Sequence, residues 1–315
     1  MPVRTSHDWT FQGFPIVRLE NHVLQVDIVP ELGGKIIHFT HKGIDRQFLW
    51  QNPRQRLRNL PVGAGYDDHF FGGWDELLPN DEAEKVNGEP WADHGELWTC
   101  PLETQTCDGG VTLSGRLPIN PFSYRRRMWL DEEDATLHME TTVTNTGRET
   151  AQFLWKLHPA LRISPGAEII VPARRAIPVD EAFSRFGHMP DFAWPMGKTP
   201  DGEVIRADCV PEMDDTTEFL YLVDLEEGVC GLAHKAEDWR FTVTFPKEIF
   251  PTVWIFASFG GWRDLETLIL EPCTTWPKSV LQAKELERCY QLDSGESVTA
   301  MISVHAGAYS EDSED

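Results

Sequence analysis

Three side chains that lie far apart in the sequence are candidates for acid/base chemistry: Glu271, His158 and His94. Glu271 lies near the end of the apolar run 267–272, where a strand normally ends on a small or apolar residue. The two histidines lie among aromatic residues in segments with the pattern of β-structure. A carboxylate and two imidazoles are groups that enzymes use to remove and deliver protons. The set therefore predicts general acid/base catalysis.

The predicted strand that ends at His158 presents two polar residues on one face. Because side chains alternate along a strand, Phe153, Trp155 and Leu157 share one face. Lys156 and His158 share the other. The proline after His158 keeps this residue extended and removes one backbone donor, as at a strand end. A functional histidine and a rim histidine bonded to a backbone carbonyl both fit this pattern.

Arg126 lies on the apolar stripe of another predicted strand, residues 122–130. A guanidinium in such a place pairs with a core acid, or it lines a wet pocket and donates to ligand hydroxyls. We therefore include Arg126 and Lys156 among the candidate substrate-binding residues. Trp254, in the predicted strand 252–259, is a further candidate.

The loop at residues 67–80 combines glycines, aromatic residues and acids. Glycines permit close backbone approach, tryptophan rings stack on the C–H faces of sugars, and carboxylates accept hydrogen bonds from hydroxyls. Asp75 and Glu76 are therefore candidates for binding sugar hydroxyls, and the alternative is that they are solvated loop acids.

Metal ligation by His69, His94, Glu96 and His158 is a weaker hypothesis, because no dense histidine spacing joins these residues. Acid/base chemistry at a sugar requires neither a metal nor a redox cofactor. We predict no metal and no cofactor.

The charge balance excludes one class of partner. The chain of 315 residues has 28 Lys and Arg against 51 Asp and Glu, which gives a formal net charge of −23. Such a charge repels a phosphate backbone unless a basic stripe is set apart, and the sequence has none. We therefore predict that the protein does not bind nucleic acid.

The remaining composition indicates the compartment. The N-terminal residues form no apolar signal region, and no run approaches the roughly 18 apolar residues of a membrane helix. We expect a soluble cytoplasmic protein without a membrane partner. The six cysteines form no Cys-x-x-Cys pair, so free thiols are favoured over disulfides.

Periodicity along the chain is mostly that of strands separated by turn residues. It predicts an all-β, large antiparallel sandwich with few short helices, formed by one domain at residues 1–309 and followed by an acidic tail at 310–315. Only residues 278–288 have a helical pattern. The long connection 172–211 is interpreted either as a functional rim or lid, or as a solvated insertion. The predicted strands are 23–29, 34–39, 111–117, 122–130, 137–143, 151–157, 219–224, 239–245, 252–259, 267–270 and 298–304.

Five short motifs, in this order, resemble those of the aldose 1-epimerases, the galactose mutarotase-like group, in its divergent bacterial branch. The resemblance implies a β-supersandwich of two large antiparallel sheets with the sugar in a groove on a concave face. The motifs are Val-Pro-Glu-Leu-Gly-Gly-Lys-Ile at 29–36, Gly-Gly-Trp-Asp-Glu at 72–76, Asp-His-Gly-Glu-Leu-Trp at 93–98, Leu-His-Pro at 157–159 and Leu-Glu-Pro-Cys-Thr at 270–274.

The same resemblance implies a role for each candidate catalytic residue. Glu271 corresponds to the general base, His158 to the general acid, and His94 to the second pocket histidine that holds the sugar. The longer histidine motif of the better known enzymes is reduced here to Asp-His-Gly-Glu, and their sugar-binding aspartate has no clear counterpart. Their substrate preference is therefore not transferred to this chain.

The leading hypothesis is an enzyme that interconverts the α and β anomers of a free hexose or related sugar, as a monomer or homodimer. One alternative is a carbohydrate-binding or sensing sandwich without catalysis. A hexose phosphate as substrate is another, and it requires converging basic residues such as Arg126, Lys156 and the arginines at 54–58. The last is a glycoside hydrolase or lyase that pairs Glu76 or Glu96 with Glu271.

Overall fold

The computed structural model describes residues 2–86, 88–107, 109–187 and 190–309. The predicted acidic tail at 310–315 lies outside the described residues. Among the described residues, no helix is long and apolar enough to cross a membrane. All six cysteines are free thiols, as the sequence predicts.

Short strands make up most of the described chain. The strands of the first half are β1 (Arg4–Phe11), β2 (Phe14–Glu20), β3 (Leu24–Val29), β4 (Lys35–His41), β5 (Arg46–Gln47), β6 (Trp74–Leu77), β7 (Glu84–Val86), β8 (Glu89–Trp91), β9 (Glu103–Cys107), β10 (Gly110–Arg116), β11 (Phe122–Leu130), β12 (Thr136–Asn145) and β13 (Ala151–Phe153). Those of the second half are β14 (Lys156–Leu161), β15 (Glu168–Ile170), β16 (Ala173–Pro178), β17 (Phe192–Ala193), β18 (Met196–Lys198), β19 (Val204–Arg206), β20 (Thr216–Leu225), β21 (Val229–His234), β22 (Trp239–Thr244), β23 (Thr252–Phe259), β24 (Glu266–Cys273), β25 (Tyr290–Leu292) and β26 (Ser297–Gly307).

In the part of the chain that the structure describes, helical structure is confined to short segments. The α-helix α1 spans Val280–Glu285, within the predicted 278–288, and begins after Ser279, whose hydroxyl accepts a hydrogen bond from the Gln282 amide at 3.2 Å. This is an ordinary N-cap. The 3₁₀ turns are Asp67–His69, Leu97–Thr99 and Glu181–Phe183.

Two antiparallel sheets contain most of the strands. The larger has twelve strands in the order β1-β2-β3-β4-β6-β14-β24-β23-β20-β16-β17, with β5 paired to β4. The smaller has eight strands in the order β15-β21-β22-β26-β12-β11-β10-β9. Three two-stranded pairs complete the described structure: β13-β25, β18-β19 and β7-β8.

The hydrophobic core lies between these two sheets. Val26 and Phe39 of the larger sheet belong to the same buried cluster as Val111 and Met128 of the smaller one. The rings of Phe39 and Phe241 meet edge to face across the sandwich, with centroids 5.4 Å apart. The predicted all-β antiparallel sandwich is therefore confirmed.

The strands predicted from alternation agree best with the strands of the structure where one face of the strand is buried. Strands β11 and β23 have the predicted bounds. The predicted strand 151–157 is divided into β13 and β14, which pair with different partners. Strands β1 and β2 were not predicted, and β1 is an edge strand with mostly exposed polar residues, so it lacks the alternation on which prediction depends.

Candidate active site

A cavity opens on the face of the larger sheet that points away from the smaller sheet. Along β24, Leu268 and Leu270 join the core between the sheets, while Ile269 and Glu271 point the opposite way. This is ordinary strand alternation. It explains why a carboxylate occurs in an apolar run: Glu271 projects into the cavity, and its neighbours in sequence project into the core.

Strand β14 lies beside β24 and contributes two more side chains. Its Leu157 is in the core, while Lys156 and His158 line the cavity. The predicted alternation of this segment is therefore confirmed. On the other side of β14, His158 is paired in register with Asp75 of β6.

Connecting segments build the walls of the cavity. His94 adopts φ +57° and is followed by Gly95 at φ +69°. A Cβ atom on Gly95 would lie 2.3 Å from the carbonyl oxygen of Leu78, so this close approach requires glycine. The His94 amide donates to the Asp81 carbonyl at 2.5 Å, which fixes the turn against the preceding segment.

The cavity has a volume of about 240 Å³. Drug-sized ligands occupy pockets of about 300–1,000 Å³, so this volume suits one sugar ring better than an oligosaccharide. Acids, bases and aromatic rings line it together: Tyr66, Asp67, Phe70, Asp81, Glu82, Asp93, His94, Lys156, His158, Asp180, Phe183, Phe219, Phe256, Trp262, Ile269, Glu271 and Lys278.

Lys156 lies between two carboxylates that line the cavity. Its Nζ is 2.5 Å from Asp81 Oδ1 and 2.5 Å from Glu271 Oε2. Burial disfavours the ammonium, but the two carboxylates outweigh burial and raise the pKa of Lys156. Burial also favours the neutral form of Asp81, but the Lys156 ammonium and the positive charges of His94 and Lys278 together outweigh burial and lower the pKa of Asp81.

Glu271 is the carboxylate that faces His158 Nε2. Its Oε1 lies 4.0 Å from His158 Nε2, and its side chain is buried. Burial raises the pKa of Glu271 above its usual value, and the Lys156 ammonium offsets only part of that effect. A raised pKa brings a carboxylate closer to neutrality, where it is a better general base.

His158 belongs to a chain of buried hydrogen bonds. Tyr66 Oη donates to Asp75 Oδ2 at 2.7 Å and lies 3.1 Å from His158 Nδ1. Lys35 also donates to Asp75. Burial, followed by the positive charges of Lys156, His94 and Lys35, holds the pKa of His158 well below its usual value. This histidine is therefore neutral at neutral pH.

His94 lies near His158, with ring centroids 6.2 Å apart, but it has different partners. Its Nδ1 lies 3.0 Å from Asp93 Oδ1, its Nε2 lies 3.9 Å from Asp81 Oδ1, and its ring stacks on Tyr66 with centroids 4.3 Å apart. Burial acts against a charge here, but the hydrogen bond with Asp93 and the charge of Asp81 outweigh it and raise the pKa of His94.

The structure brings four of the eight predicted site residues into the cavity: Glu271, His158, His94 and Lys156. Two more support them from behind. Asp75 bonds to Tyr66, and the Trp254 ring lies 4.7 Å from Lys156 Nζ. These two residues do not line the cavity.

Glu76 and Arg126 do not lie in the cavity, which corrects their interpretation as substrate-binding residues. Arg126 Nη1 donates to Glu76 Oε1 at 3.1 Å, and both side chains are fully buried between the two sheets. Trp155 Nε1 donates to Glu76 Oε2 at 2.9 Å. The strand alternation that points Asp75 toward the cavity points Glu76 into the core, where Arg126 is its ionic partner.

Several cavity residues were missed by sequence reasoning. Tyr66 and Asp93 contact the two predicted catalytic histidines, and Asp81 pairs with Lys156, a predicted substrate-binding residue. Asp93 stands next to His94 in a motif that was already singled out, so its adjacency was a usable signal. Tyr66 and Asp81 lie in irregular segments without periodicity, and no local pattern identifies them.

The long connection 172–211 contributes Asp180 and Phe183 to the cavity wall. Because these two residues line the cavity, the segment fits the interpretation as a rim better than the interpretation as a solvated insertion. Within the described parts of the chain, no group of three or more His, Cys, Asp or Glu side chains is arranged to hold a metal ion.

Comparisons with known proteins agree with this architecture. Among solved structures, the Slr1438 protein of Synechocystis sp. PCC 6803 is 16% identical, with a TM-score of 0.69 over 96% of this chain and 100% of that chain. A galactose mutarotase-like protein from Clostridium acetobutylicum is 13% identical, with a TM-score of 0.69 over 98% and 99% of the two chains. A galactose mutarotase related enzyme from Lactobacillus acidophilus is 15% identical, with a TM-score of 0.65 over 94% and 97%. At these identities the likeness shows the fold alone.

The sequence matches a family whose description names no activity. No curated protein matches the chain. Residues 4–197 match the family model described as Domain of unknown function (DUF5107), which is more than half of the chain. The chain therefore belongs to the DUF5107 family, and its fold is that of the galactose mutarotase-like proteins.

Proposed function

We propose that this protein interconverts the α and β anomers of a free aldose by general acid/base catalysis. The observation that carries the proposal is the presence of Glu271, His158 and His94 around one cavity of about 240 Å³. Glu271 Oε1 lies 4.0 Å from His158 Nε2, and the two imidazole centroids are 6.2 Å apart. These separations allow all three side chains to contact one sugar ring.

The reaction requires one base and one acid. A base removes the proton of the anomeric hydroxyl while an acid protonates the ring oxygen, so that the C1–O5 bond breaks. Rotation about C1–C2 and closure on the other face then complete the exchange. Glu271 is the proposed base, and a cavity histidine is the proposed acid. Each such group contributes about 10²–10⁴-fold when its pKa is near the working pH.

The aromatic lining supports a sugar as the ligand. Phe70, Phe183 and Trp262 offer ring faces for C–H groups, while Asp81, Asp93 and Glu271 offer acceptors for hydroxyls. A mixture of apolar surface with a few convergent polar groups is typical of small-molecule sites.

A sugar phosphate has little support as the substrate. The described residues that line the cavity include six carboxylates and two lysines, and no arginine. Arg126 is bound to Glu76, Arg54 Nη1 is 3.4 Å from Asp264 Oδ2, and Lys156 is held by two carboxylates. A phosphate would meet net negative charge in this cavity.

Glycoside hydrolysis by Glu271 with Glu76 or Glu96 also has little support. Glu76 is held between the sheets by Arg126. Glu96 accepts hydrogen bonds from the backbone amides of Ile119 and Asn120 at 2.7 and 3.1 Å. Neither residue lines the cavity with Glu271, so the required carboxylate pair does not form.

Sugar binding without catalysis is a second candidate function. The Lys156 ammonium engages Glu271 Oε2 at 2.5 Å, and this ion pair weakens the carboxylate as a base. A binding or sensing protein needs the same cavity but no free base. It would show saturable sugar binding without faster anomer exchange.

Anomer exchange measured by NMR over a panel of aldoses tests the proposal. We expect the wild-type protein to accelerate exchange of at least one aldose, and Glu271→Gln to lower kcat by about 10²–10⁴-fold. Glu266→Gln is the matched control, because Glu266 begins the same strand and is exposed. Exchange that survives Glu271→Gln unchanged would refute the base assignment. Sugar binding without any acceleration would favour the second candidate.

A further inference from the structure

The two cavity histidines differ in their partners, although both face the same cavity. The resemblance assigns the acid role to His158 and the role of holding the sugar to His94. The groups around each ring decide whether one or both of its nitrogens carry a proton, and these groups differ between His158 and His94.

The chain of hydrogen bonds behind His158 fixes its tautomer. A tyrosine hydroxyl has one proton, and Tyr66 donates it to Asp75 Oδ2 at 2.7 Å. The Tyr66 oxygen can therefore only accept from His158 Nδ1, 3.1 Å away, so this nitrogen carries the N–H. In the neutral ring, His158 Nε2 then presents a lone pair on the side of Glu271.

The charged groups around His158 act against a second proton. The ammonium groups of Lys156 and Lys35 and the ring of His94 all disfavour it, in addition to burial. Among the described residues, Glu271 is the carboxylate next to His158 Nε2, at 4.0 Å, and its Oε2 is already engaged by Lys156. The Tyr66 hydroxyl and the Lys35 ammonium both donate to Asp75 Oδ2, and the ammonium offsets the charge of this carboxylate.

The groups around His94 act in favour of a second proton. Asp93 lies 3.0 Å from Nδ1, and Asp81 lies 3.9 Å from Nε2. The Tyr66 ring stacks on the imidazole at 4.3 Å, and an aromatic face stabilises a cation. Asp67 also lines the cavity and adds a further negative charge near His94, and the Lys156 ammonium is the opposing charge.

We propose that the histidines act in the opposite sense to the one that the resemblance implies: His94 delivers the proton to the ring oxygen, and His158 accepts a hydrogen bond from a sugar hydroxyl. Tyr66 and Asp75 are positioning residues, because they hold His158 in the tautomer that accepts. This inference rests on the proposed function.

The proton balance of the step is complete with these residues. Glu271 takes the proton of the O1 hydroxyl, the C1–O5 bond breaks, and O5 receives the proton from His94 Nε2. In the open form C1 carries a carbonyl. On closure O5 returns its proton to His94 while attacking C1, and O1 receives the proton that Glu271 held, so both groups are restored.

Long-range ¹H–¹⁵N correlation NMR of the histidine rings tests the inference without any substrate. The variants His94→Gln and His158→Gln assign the two rings. At neutral pH we expect two protonated nitrogens on His94 and only a protonated Nδ1 on His158. A doubly protonated His158 beside a neutral His94 would overturn the proposal. Because this readout is independent of turnover, it separates failure of this inference from failure of the proposed function.

Kinetics on an accepted aldose give a second readout. We expect His94→Gln to lower kcat by about 10²–10⁴-fold, and His158→Gln to act mainly through a higher KM. The reverse split would overturn the proposal.

Tyr66→Phe isolates the hydroxyl, because phenylalanine keeps the ring that stacks on His94. We expect His158 to lose its single tautomer in the NMR spectrum and the KM to rise. Tyr290→Phe is the control, since Tyr290 packs against Phe153 and does not line the cavity. An unchanged His158 spectrum in Tyr66→Phe would show that Tyr66 does not position this ring.

Discussion

Lys156 Nζ lies 2.5 Å from Glu271 Oε2, and both side chains are almost completely buried. The ammonium lowers the basicity of this carboxylate, while burial raises it, and burial is the larger effect. Glu271 therefore stays a base whose pKa is closer to neutrality than that of an exposed glutamate. The ion pair also fixes the direction of the carboxylate, so that Oε1 is left facing His158.

Replacement of Lys156 by methionine is expected to destabilise the protein by about 3–5 kcal/mol at neutral pH. The reason is that Asp81 and Glu271 would remain as buried charges without their cationic partner. Protonation of these two acids relieves that cost, so the loss should shrink as the pH falls. Urea unfolding of both proteins at several pH values measures the difference.

Lys278→Met is the control for the loss of a cavity lysine. Lys278 pairs with Glu82 at 3.2 Å, and both side chains are more than one third exposed, so its loss should cost less than about 1 kcal/mol. Equal losses of stability in the two variants would mean that the buried ion pairs of Lys156 contribute no more than an exposed ion pair does.

Arg126→Met tests the corrected position of the Glu76–Arg126 pair. It leaves Glu76 as a fully buried acid that keeps the Trp155 hydrogen bond but has lost its cationic partner, and a loss of about 3–5 kcal/mol is expected in urea unfolding. Because Arg126 does not line the cavity, the KM for an accepted sugar should stay at the wild-type value where the variant is folded. If Arg126→Met raises the KM and leaves stability unchanged, Arg126 is a substrate-binding residue after all.

Alternation along strands explains how much of the site was predictable from the sequence. A polar residue in an apolar run can be assigned to a face by counting, as with Glu271 in β24 and Lys156 and His158 in β14. The same counting places Arg126 on the core face but does not identify its partner. Residues 67–80 lack alternation, so the sequence does not separate Glu76 from the loop acids around it, and the register of β6 with β14 is needed to show which way its side chain points.

The residues of the cavity walls could not be predicted for a different reason. Tyr66 is 92 positions from His158 in sequence, and the contact depends on how an irregular segment crosses the sheet. Asp81 reaches Lys156 in the same way. No local propensity encodes such contacts, whereas Asp93 is adjacent to His94 and was within reach of motif reasoning.

Gly95→Ala is expected to displace His94 and lower activity. A Cβ atom there would lie 2.3 Å from the Leu78 carbonyl oxygen, so the turn must move. A shift of about 1 Å in a catalytic group can cost about 10²-fold in rate, and we expect a loss of kcat of at least about tenfold. Gly63→Ala is the control, because Gly63 also has a positive φ, +88°, but has open space around it. Its cost should be limited to about 1–2 kcal/mol of stability. Similar kinetic effects in both variants would show that the clash does not matter.

Glu218 is a buried acid that anchors the rim of the cavity. Its Oε2 accepts hydrogen bonds from both the backbone amide and Nε of Arg185, each at 3.3 Å. Arg185 follows the 3₁₀ turn Glu181–Phe183, whose last residue lines the cavity. Burial raises the pKa of Glu218 to about 7, with the Arg185 charge acting in the opposite direction.

This raised pKa makes stability depend on pH in a definite direction. Between the usual value of 4.5 and about 7, the folded protein binds a proton at Glu218 that the unfolded chain has released. The contribution of Glu218 to the free energy of unfolding is therefore largest at low pH. It falls by about 3 kcal/mol as the pH rises through that window. In Glu218→Gln the side chain cannot ionise, so we expect the variant to gain stability relative to wild type as the pH rises. Urea unfolding at a series of pH values measures this difference, with the exposed Glu226→Gln as the control for the loss of one negative charge. A difference between Glu218→Gln and wild type that does not change with pH would show that Glu218 ionises as an ordinary glutamate.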